Sequence, residues 1–238
     1  MGVGPEELRC FLEGFIREDP TWTSDVLRSL TNDKHSILET LDGILQSPSM
    51  LGGVASLSYR HLNHFDKIVL ASFGKDTCKL RLHVWWGEST DGDMENIHNH
   101  RWDFSTVILH GSYRFQLYEI EPGGRGLHEY RYHSPDDSEY YSMERVGGAS
   151  AECVLDARFG AGASYYLSHS CLHRVSALPQ ATVVTLMCQG PVRSNATRVL
   201  TEGAISNPER VSAARMSVEE LRSKLERVRA ILDSGSIT

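Results

Sequence analysis

The chain has no apolar run approaching the ~20 residues that a bilayer-spanning helix requires, so no transmembrane anchor is expected. It also lacks a basic excess. Its 24 Lys and Arg stand against 31 Asp and Glu, a formal charge of −7, which leaves no positive field for a phosphate backbone and argues against nucleic acid as a partner. Cysteine is scarce and shows no pairing pattern. The five, Cys10, Cys78, Cys153, Cys171 and Cys188, are odd in number and form no C-x-x-C, so they read as reduced thiols, most of them packed as small hydrophobes. Met1-Gly2-Val3-Gly4-Pro5-Glu6-Glu7 is acidic where a secretory leader would be basic and then apolar, and Glu6 stands where a myristoylation start wants Ser or Thr. Internal repeats and low-complexity blocks are missing too. These absences leave a cytoplasmic globular protein whose expected partner is a small molecule, with the oligomeric state open.

What is present is enough for a core. At 238 residues and 40% hydrophobic content the chain fits one principal domain with appended helices. Residues 1–50 read as a helical segment. Pro5 opens a stretch whose Leu8, Phe11, Leu12, Phe15 and Ile16 recur at helical spacing. Thr23 or Ser24 can cap a second helix through Leu30, and Asn32 or Asp33 a third from His35 to Leu45, ended by Ser47-Pro48. From about residue 54 the texture changes to short strands, expected at 67–73, 79–86, 104–110, 113–120, 151–155, 164–168, 172–177 and 181–188. Gly111-Ser112 reads as a tight hairpin turn. Residues 121–150, rich in Gly, Tyr and charge, read as a long excursion near the mouth of a barrel spanning 51–200. In 201–238, beyond Asn207-Pro208, Ser217-x-x-Glu220 is a capping box and Val218, Leu221, Leu225, Val228 and Leu232 form one apolar stripe. That pattern predicts a final helix before the tail Ser234-Gly235-Ser236.

Chemistry concentrates at His98-Asn99-His100. Two histidines one residue apart in a strand point to the same face and can grip one metal ion, and His173, in the apolar run Leu172-His173-Arg174-Val175, can supply a third ligand. The spacing Gly92, five residues, His98, one residue, His100, three residues, Phe104, six residues, Gly111 resembles the first motif of the cupin superfamily. Phe104 occupies the place of the metal-binding glutamate. Of the second cupin motif only His173 remains. The resemblance therefore narrows to three-histidine cupins, and among them to thiol dioxygenases of the cysteine dioxygenase type. The strand Leu82-His83-Val84-Trp85-Trp86-Gly87-Glu88 resembles that family's strand ending in Trp-Gly-Glu, and Tyr165 through Val175 resembles its third-ligand segment. The likeness covers roughly residues 60–192. No cysteine stands at Phe104 or Ser105, so a thioether cross-link to tyrosine is not available. The family's Ser-x-His-x-Tyr strand appears as Thr185-Leu186-Met187-Cys188-Gln189.

The resemblance implies a mainly β protein, a cupin double-stranded β-helix barrel with N-terminal helices and a C-terminal helix. It also implies a non-haem metal-dependent dioxygenase oxidising a small thiol amino acid such as L-cysteine with O2, either to the sulfinate or with decarboxylation or rearrangement. Fe(II) is the implied metal. Ligand type alone equally allows Ni(II) or Zn(II). That leaves a lyase, isomerase or bond-forming enzyme that uses no O2, or a non-catalytic small-molecule-binding cupin, as alternatives. With Phe104 in the glutamate position, no carboxylate ligand is expected, and Asp103 and Glu88 are the residues that would contradict this. A substrate carboxylate needs a cation. The family's arginine position corresponds to Lys67, with Arg81 and Arg114 as alternatives. His83 shares a face with Arg81 and Trp85 that either lines the cavity or meets solvent. Thr185, Met187 and Gln189 share a face of the last barrel strand, Gln189 as a further substrate contact. Tyr165, Tyr166 and Tyr113 are the phenols available for proton handling. His169 reads as a loop residue, His110 as a strand-end residue distant from the metal, and Cys171 as a structural thiol.

Overall fold

The computed structural model describes residues 5–61, 63–74, 77–87, 93–133, 140–205, 211–212 and 214–234. Glu88, Gly92, Asn207-Pro208 and the tail beyond Ser234, all singled out in the sequence, lie outside these. Four helices come first: α1 (Pro5–Glu13), α2 (Trp22–Thr31), α3 (Lys34–Gln46) and α4 (Pro48–Leu57). The strands are β1 (Tyr59–Arg60), β2 (Asp66–Phe73), β3 (Cys78–Trp85), β4 (Asp93–Met94), β5 (Ile97–His98), β6 (Trp102–His110), β7 (Ser112–His133), β8 (Tyr140–Gly160), β9 (Ser164–Leu167), β10 (Leu172–Ala177), β11 (Val183–Val192), β12 (Thr197–Thr201) and β13 (Val211–Ser212). Helix α5 (Val218–Ser234) closes the chain.

Two antiparallel sheets face each other, one ordered β1-β2-β3-β11-β6-β9 and the other β13-β8-β7-β12-β5-β10-β4. From β3 onward the chain passes back and forth between them, with β4–β5, β7–β8 and β12–β13 as consecutive strands of the second sheet, which is the crossing pattern of a double-stranded β-helix. The mainly β class with flanking N- and C-terminal helices is therefore as expected.

Two local expectations are corrected and a third is extended. Gly111 does not turn a hairpin, because β6 and β7 lie in different sheets; it sits at the corner between them with φ +78°. A Cβ there would clash with the Thr182 carbonyl oxygen, so the corner requires glycine on both conformational and steric grounds. Residues 121–133 and 140–150 are no loose excursion but the outer part of the long β7–β8 hairpin, paired from Arg125–Ala151 to His133–Ser142 beyond an irregularity at Ile120. Ser47-Pro48 ends α3 and also starts α4, since Ser47 Oγ accepts from the Met50 N–H and Pro48 occupies the first turn. The short strands β1, β4, β5, β12 and β13 carry too few alternating residues to register in the sequence.

The outer face of the first sheet is covered by the helices. Leu80, Leu82, Val84, Val107, Leu109, Leu186 and Cys188 pack in one core with Trp22, Leu27, Leu41, Leu51, Leu221 and Leu225. Helix α5 is capped by Ser217 Oγ, which accepts from the Glu220 N–H at 3.1 Å, and buries Leu221, Leu225, Val228 and Leu232 of the expected stripe. An ion pair from Lys224 to the buried Asp66 at 2.9 Å ties it to β2. Because the helices take the apolar outer face, the alternate residues of the same strands point inward to a cavity.

Candidate metal centre

Inside the barrel, β2, β3, β11 and β6 align their inward residues in rows. Lys67, His83, Thr185 and Ile108 stand side by side, then Arg81, Met187 and Thr106, then Lys79, Gln189 and Phe104. Together with residues of the opposite sheet they line a cavity of about 340 Å³, the size of a small-molecule site.

The three histidines meet at its wall. His173 on β10 is the direct cross-strand partner of His98 on β5, and His100 follows just past the end of β5. The ligating nitrogens of His98, His100 and His173 lie within 4.8 Å of one another. Asn99 turns away and locks the arrangement from behind, its Oδ1 accepting from the Arg198 N–H of β12 at 2.7 Å. Nδ1 of His98 lies 2.8 Å from the Asn96 carbonyl and Nδ1 of His173 lies 3.3 Å from the Cys171 carbonyl. A carbonyl can only accept, so both Nδ1 atoms carry the proton and Nε2 keeps its lone pair for a metal. Burial lowers the pKa of all three imidazoles, that of His100 further through its histidine neighbours, so they are neutral ligands. Phe104 packs edge-on against His100, and Trp102 stacks on its other side at 4.2 Å. This donor set fits a metal ion: three convergent, neutral, oriented imidazoles and no carboxylate among the described residues. Asp103 is turned outward, where it accepts from both the backbone and the ring of His169. His169 is thereby engaged away from the cluster, and His110 is absent from the cavity wall.

A second feature of the cavity is its unpaired cations. Lys67 and Arg81 both line it. Lys67 Nζ donates to the Tyr59 hydroxyl at 2.8 Å, and Arg81 lies over the Trp102 ring at 4.7 Å from its centroid. Neither has a carboxylate partner among the described residues. Burial drives the pKa of Lys67 well below its ordinary value, reinforced by Arg81, and that of Arg81 down to about 10. Arg114, the third sequence candidate, is on the outside, paired with Asp156. His83 lines the cavity and does not meet solvent. Among the described residues, four buried polar atoms of this wall have no protein partner: Arg81 Nε, His83 Nε2, Trp85 Nε1 and Gln189 Oε1. Gln189 is held by its other end, Nε2 donating to the Thr77 carbonyl at 2.8 Å. Thr185, Met187 and Tyr165 also lie on the wall.

The sequence reading missed His61 and Glu95. His61 stacks on Phe65 at 4.6 Å and is held neutral by burial and by Lys67. Glu95, between β4 and β5, is 6% exposed; its Oε2 accepts from the Val175 N–H at 3.1 Å, and burial pushes its pKa up to about 8. No motif marks either residue. Across the cavity the hydroxyls of Tyr113 and Tyr165 are 2.8 Å apart and join the two sheets.

No protein-family model and no curated protein matches the chain. Among solved structures it is similar to the capsular polysaccharide assembling protein CapF of Staphylococcus aureus, at 8% identity over 59% of this chain and 31% of that one, TM-score 0.36. A cupin superfamily protein of Desulfitobacterium hafniense matches at 12% identity over 57% and 85%, TM-score 0.30. The DMSP lyase DddQ of Ruegeria pomeroyi matches at 12% over 58% and 46%, TM-score 0.30. The chain spans 49% of another DMSP lyase chain and 60% of a hydroquinone 1,2-dioxygenase chain. At such scores the chemistry has to be argued from this chain's own residues. Among the described residues no helix is long and apolar enough to cross a membrane.

Proposed function

We propose that this protein is a metal-dependent oxygenase acting on a small thiol that carries a carboxylate, with L-cysteine or a near analogue as the substrate. The observation that carries the reading is the shared cavity. Three neutral imidazoles converge on one wall, while Arg81, buried, and Lys67, half-buried, line another part of it with no acid partner among the described residues. Burying cations unpaired is costly, and a substrate carboxylate relieves that cost as it binds. Thiol specificity comes from the resemblance of the Trp-Gly-Glu strand and third-ligand segment to thiol dioxygenases.

His98, His100 and His173 would hold the metal, with Fe(II) favoured by that resemblance. Three imidazoles leave positions for exogenous ligands, and a metal there supplies Lewis acidity and, as iron, redox access to dioxygen. The chain's own residues do the rest. Arg81 and Lys67 orient the carboxylate, and the open Nε–H of Arg81 with the unpaired Oε1 of Gln189 offers a donor and an acceptor to the polar end of the substrate. Phe104, Trp102, Met187 and Phe115 make the walls around the histidines apolar and exclude water.

A second reading, a zinc or nickel lyase or isomerase, is favoured by one observation, the Tyr113–Tyr165 hydroxyl pair, which places phenolic protons in the cavity without any need for O2. Oxygen uptake separates the two. Anaerobic Fe(II)-loaded protein given L-cysteine is expected to consume dioxygen on its admission and to place ¹⁸O label in the product. Turnover of L-cysteine under strict anaerobiosis would favour the lyase, and binding without turnover in either gas would leave a sensor.

A further inference from the structure

Glu95 has no role in the reading above, and its surroundings are those of a working acid. The other buried carboxylates near the barrel face cations away from the cavity: Asp103 faces His169 and Arg193, and Asp66 faces Lys224, and neither lines the cavity as Glu95 does. Glu95 is buried and faces no cation among the described residues. Only burial and the Val175 N–H act on its ionisation. Pairing it with Lys67 or Arg81 would have been the cheaper way to bury all three, yet the fold keeps them apart. Its Oε2 is fixed by the Val175 N–H, whereas Oε1 has no hydrogen bond among the described residues and is left to the cavity that Glu95 lines.

Its position relative to the histidines follows from the sheet. On β10, His173 and Val175 are successive inward residues, so a carboxyl anchored on Val175 sits about 7 Å along the strand from the third ligand, a distance a small substrate spans. The titratable groups that share the cavity with it on the elements packed around it are Tyr113 of β7, Tyr165 of β9, His173 of β10 and His98 of β5. Burial raises both tyrosines and lowers both histidines, so these four keep one protonation state near neutrality. Glu95 is the member of this group whose proton is exchangeable there, and an acid–base group works best with a pKa near the working pH.

We infer that Glu95 is the general acid–base of the cavity, its Oε1 taking the proton of the substrate thiol on binding and returning a proton when product leaves. The S–H bond breaks, its electron pair stays on sulfur, and the proton converts the Glu95 carboxylate to the acid. No oxidant or further reactant enters this step. The inference rests on the thiol-carboxylate reading of the site.

The test uses full-length protein loaded with Co(II) and two probes, L-cysteine and S-methyl-L-cysteine, which lacks the thiol proton. Glu95→Gln keeps an acceptor for the Val175 N–H and removes only the proton site. Its metal content is expected to equal wild type, while the binding rate for L-cysteine at neutral pH falls roughly 100-fold and S-methyl-L-cysteine binds both proteins alike. Infrared difference spectra of wild type against the variant should show one carboxylic-acid band titrating near pH 8. Partial rescue by Glu95→Asp is expected and serves in place of the Gln variant should that fail to fold. Equal loss for both probes assigns Glu95 a structural role and overturns the inference, as does an unchanged L-cysteine rate. Failure of wild type to bind L-cysteine overturns the thiol reading and the proton step with it, whereas binding without a Glu95 effect overturns the proton step alone.

Discussion

His98 and His173 are direct cross-strand partners on β5 and β10, their rings 4.7 Å apart, so the pairing of two neighbouring strands brings together two residues far separated in the chain. Their Nδ1 protons are both spent on backbone carbonyls, which leaves the Nε2 lone pairs pointing to a common place. Replacing His98, His100 or His173 by Ala is expected to remove most of the bound metal, because a three-ligand site has no redundancy. His169→Ala should leave it in place. Metal analysis of the purified variants decides this, and full occupancy in His173→Ala would sink the assignment.

Lys67 and Arg81 make a paired prediction about stability and binding. Lys67→Met removes a half-buried cation that has no acid partner among the described residues, so the substrate-free protein should gain about 1 kcal/mol in thermal or urea unfolding. The same variant should lose roughly 2–5 kcal/mol of affinity for L-cysteine, as when one partner of a desolvated charge pair is left alone. Lower stability together with unchanged affinity would remove Lys67 from the site and leave Arg81 as the carboxylate anchor.

The pH dependence of that gain has a defined sign. Burial depresses the folded-state pKa of Lys67 well below its unfolded value of 10.5, so the unfolded chain takes up the proton first as the pH falls. Stability is therefore fully present above about 10.5 and is lost as the pH falls from there through the depressed folded value. Wild type should show this loss over the alkaline range and Lys67→Met should not. Parallel stability–pH curves for the two proteins would contradict the burial of an unpaired lysine.

Tyr113 and Tyr165 hold the two sheets together through one hydrogen bond in the cavity wall. Tyr113→Phe or Tyr165→Phe strands the remaining hydroxyl and should cost about 1–3 kcal/mol, while the double variant should cost less than the sum of the two. Additive losses in urea unfolding would mean that the hydroxyls do not act as a pair.

Gly111→Ala should be among the most damaging single-methyl changes, since it meets both a positive φ and a clash with the Thr182 carbonyl. A loss of at least roughly 1–2 kcal/mol is expected from the left-handed conformation alone. A neutral result would show that the corner can relax.

Several features of this protein were decided by local sequence. The final helix is one, because a capping box and a stripe of Leu221, Leu225, Val228 and Leu232 need no distant partner to be recognised. The three-histidine cluster is another, because the spacing of His98 and His100 is a local signal and His173 stands alone in an apolar strand. The strand periods also placed Arg81 with His83, and Thr185 with Met187 and Gln189, on common faces, as the registers of β3 and β11 have them.

Which face looked inward was another matter. Both faces of β3 are buried, one under helices and one around the cavity, so alternation alone could not say whether His83 met solvent or substrate. Which of Lys67, Arg81 and Arg114 reach the cavity was decided the same way, by the packing of α1–α5 on the first sheet and by Asp156 drawing Arg114 outward on β7. Glu95 was the hardest to find, since a glutamate in an acidic stretch between two two-residue strands reads as solvated surface. Only the closure of β10 against β4 and β5 takes it out of water. A long-range pairing, invisible in any window of sequence, thereby turns an ordinary surface acid into a buried one with an exchangeable proton.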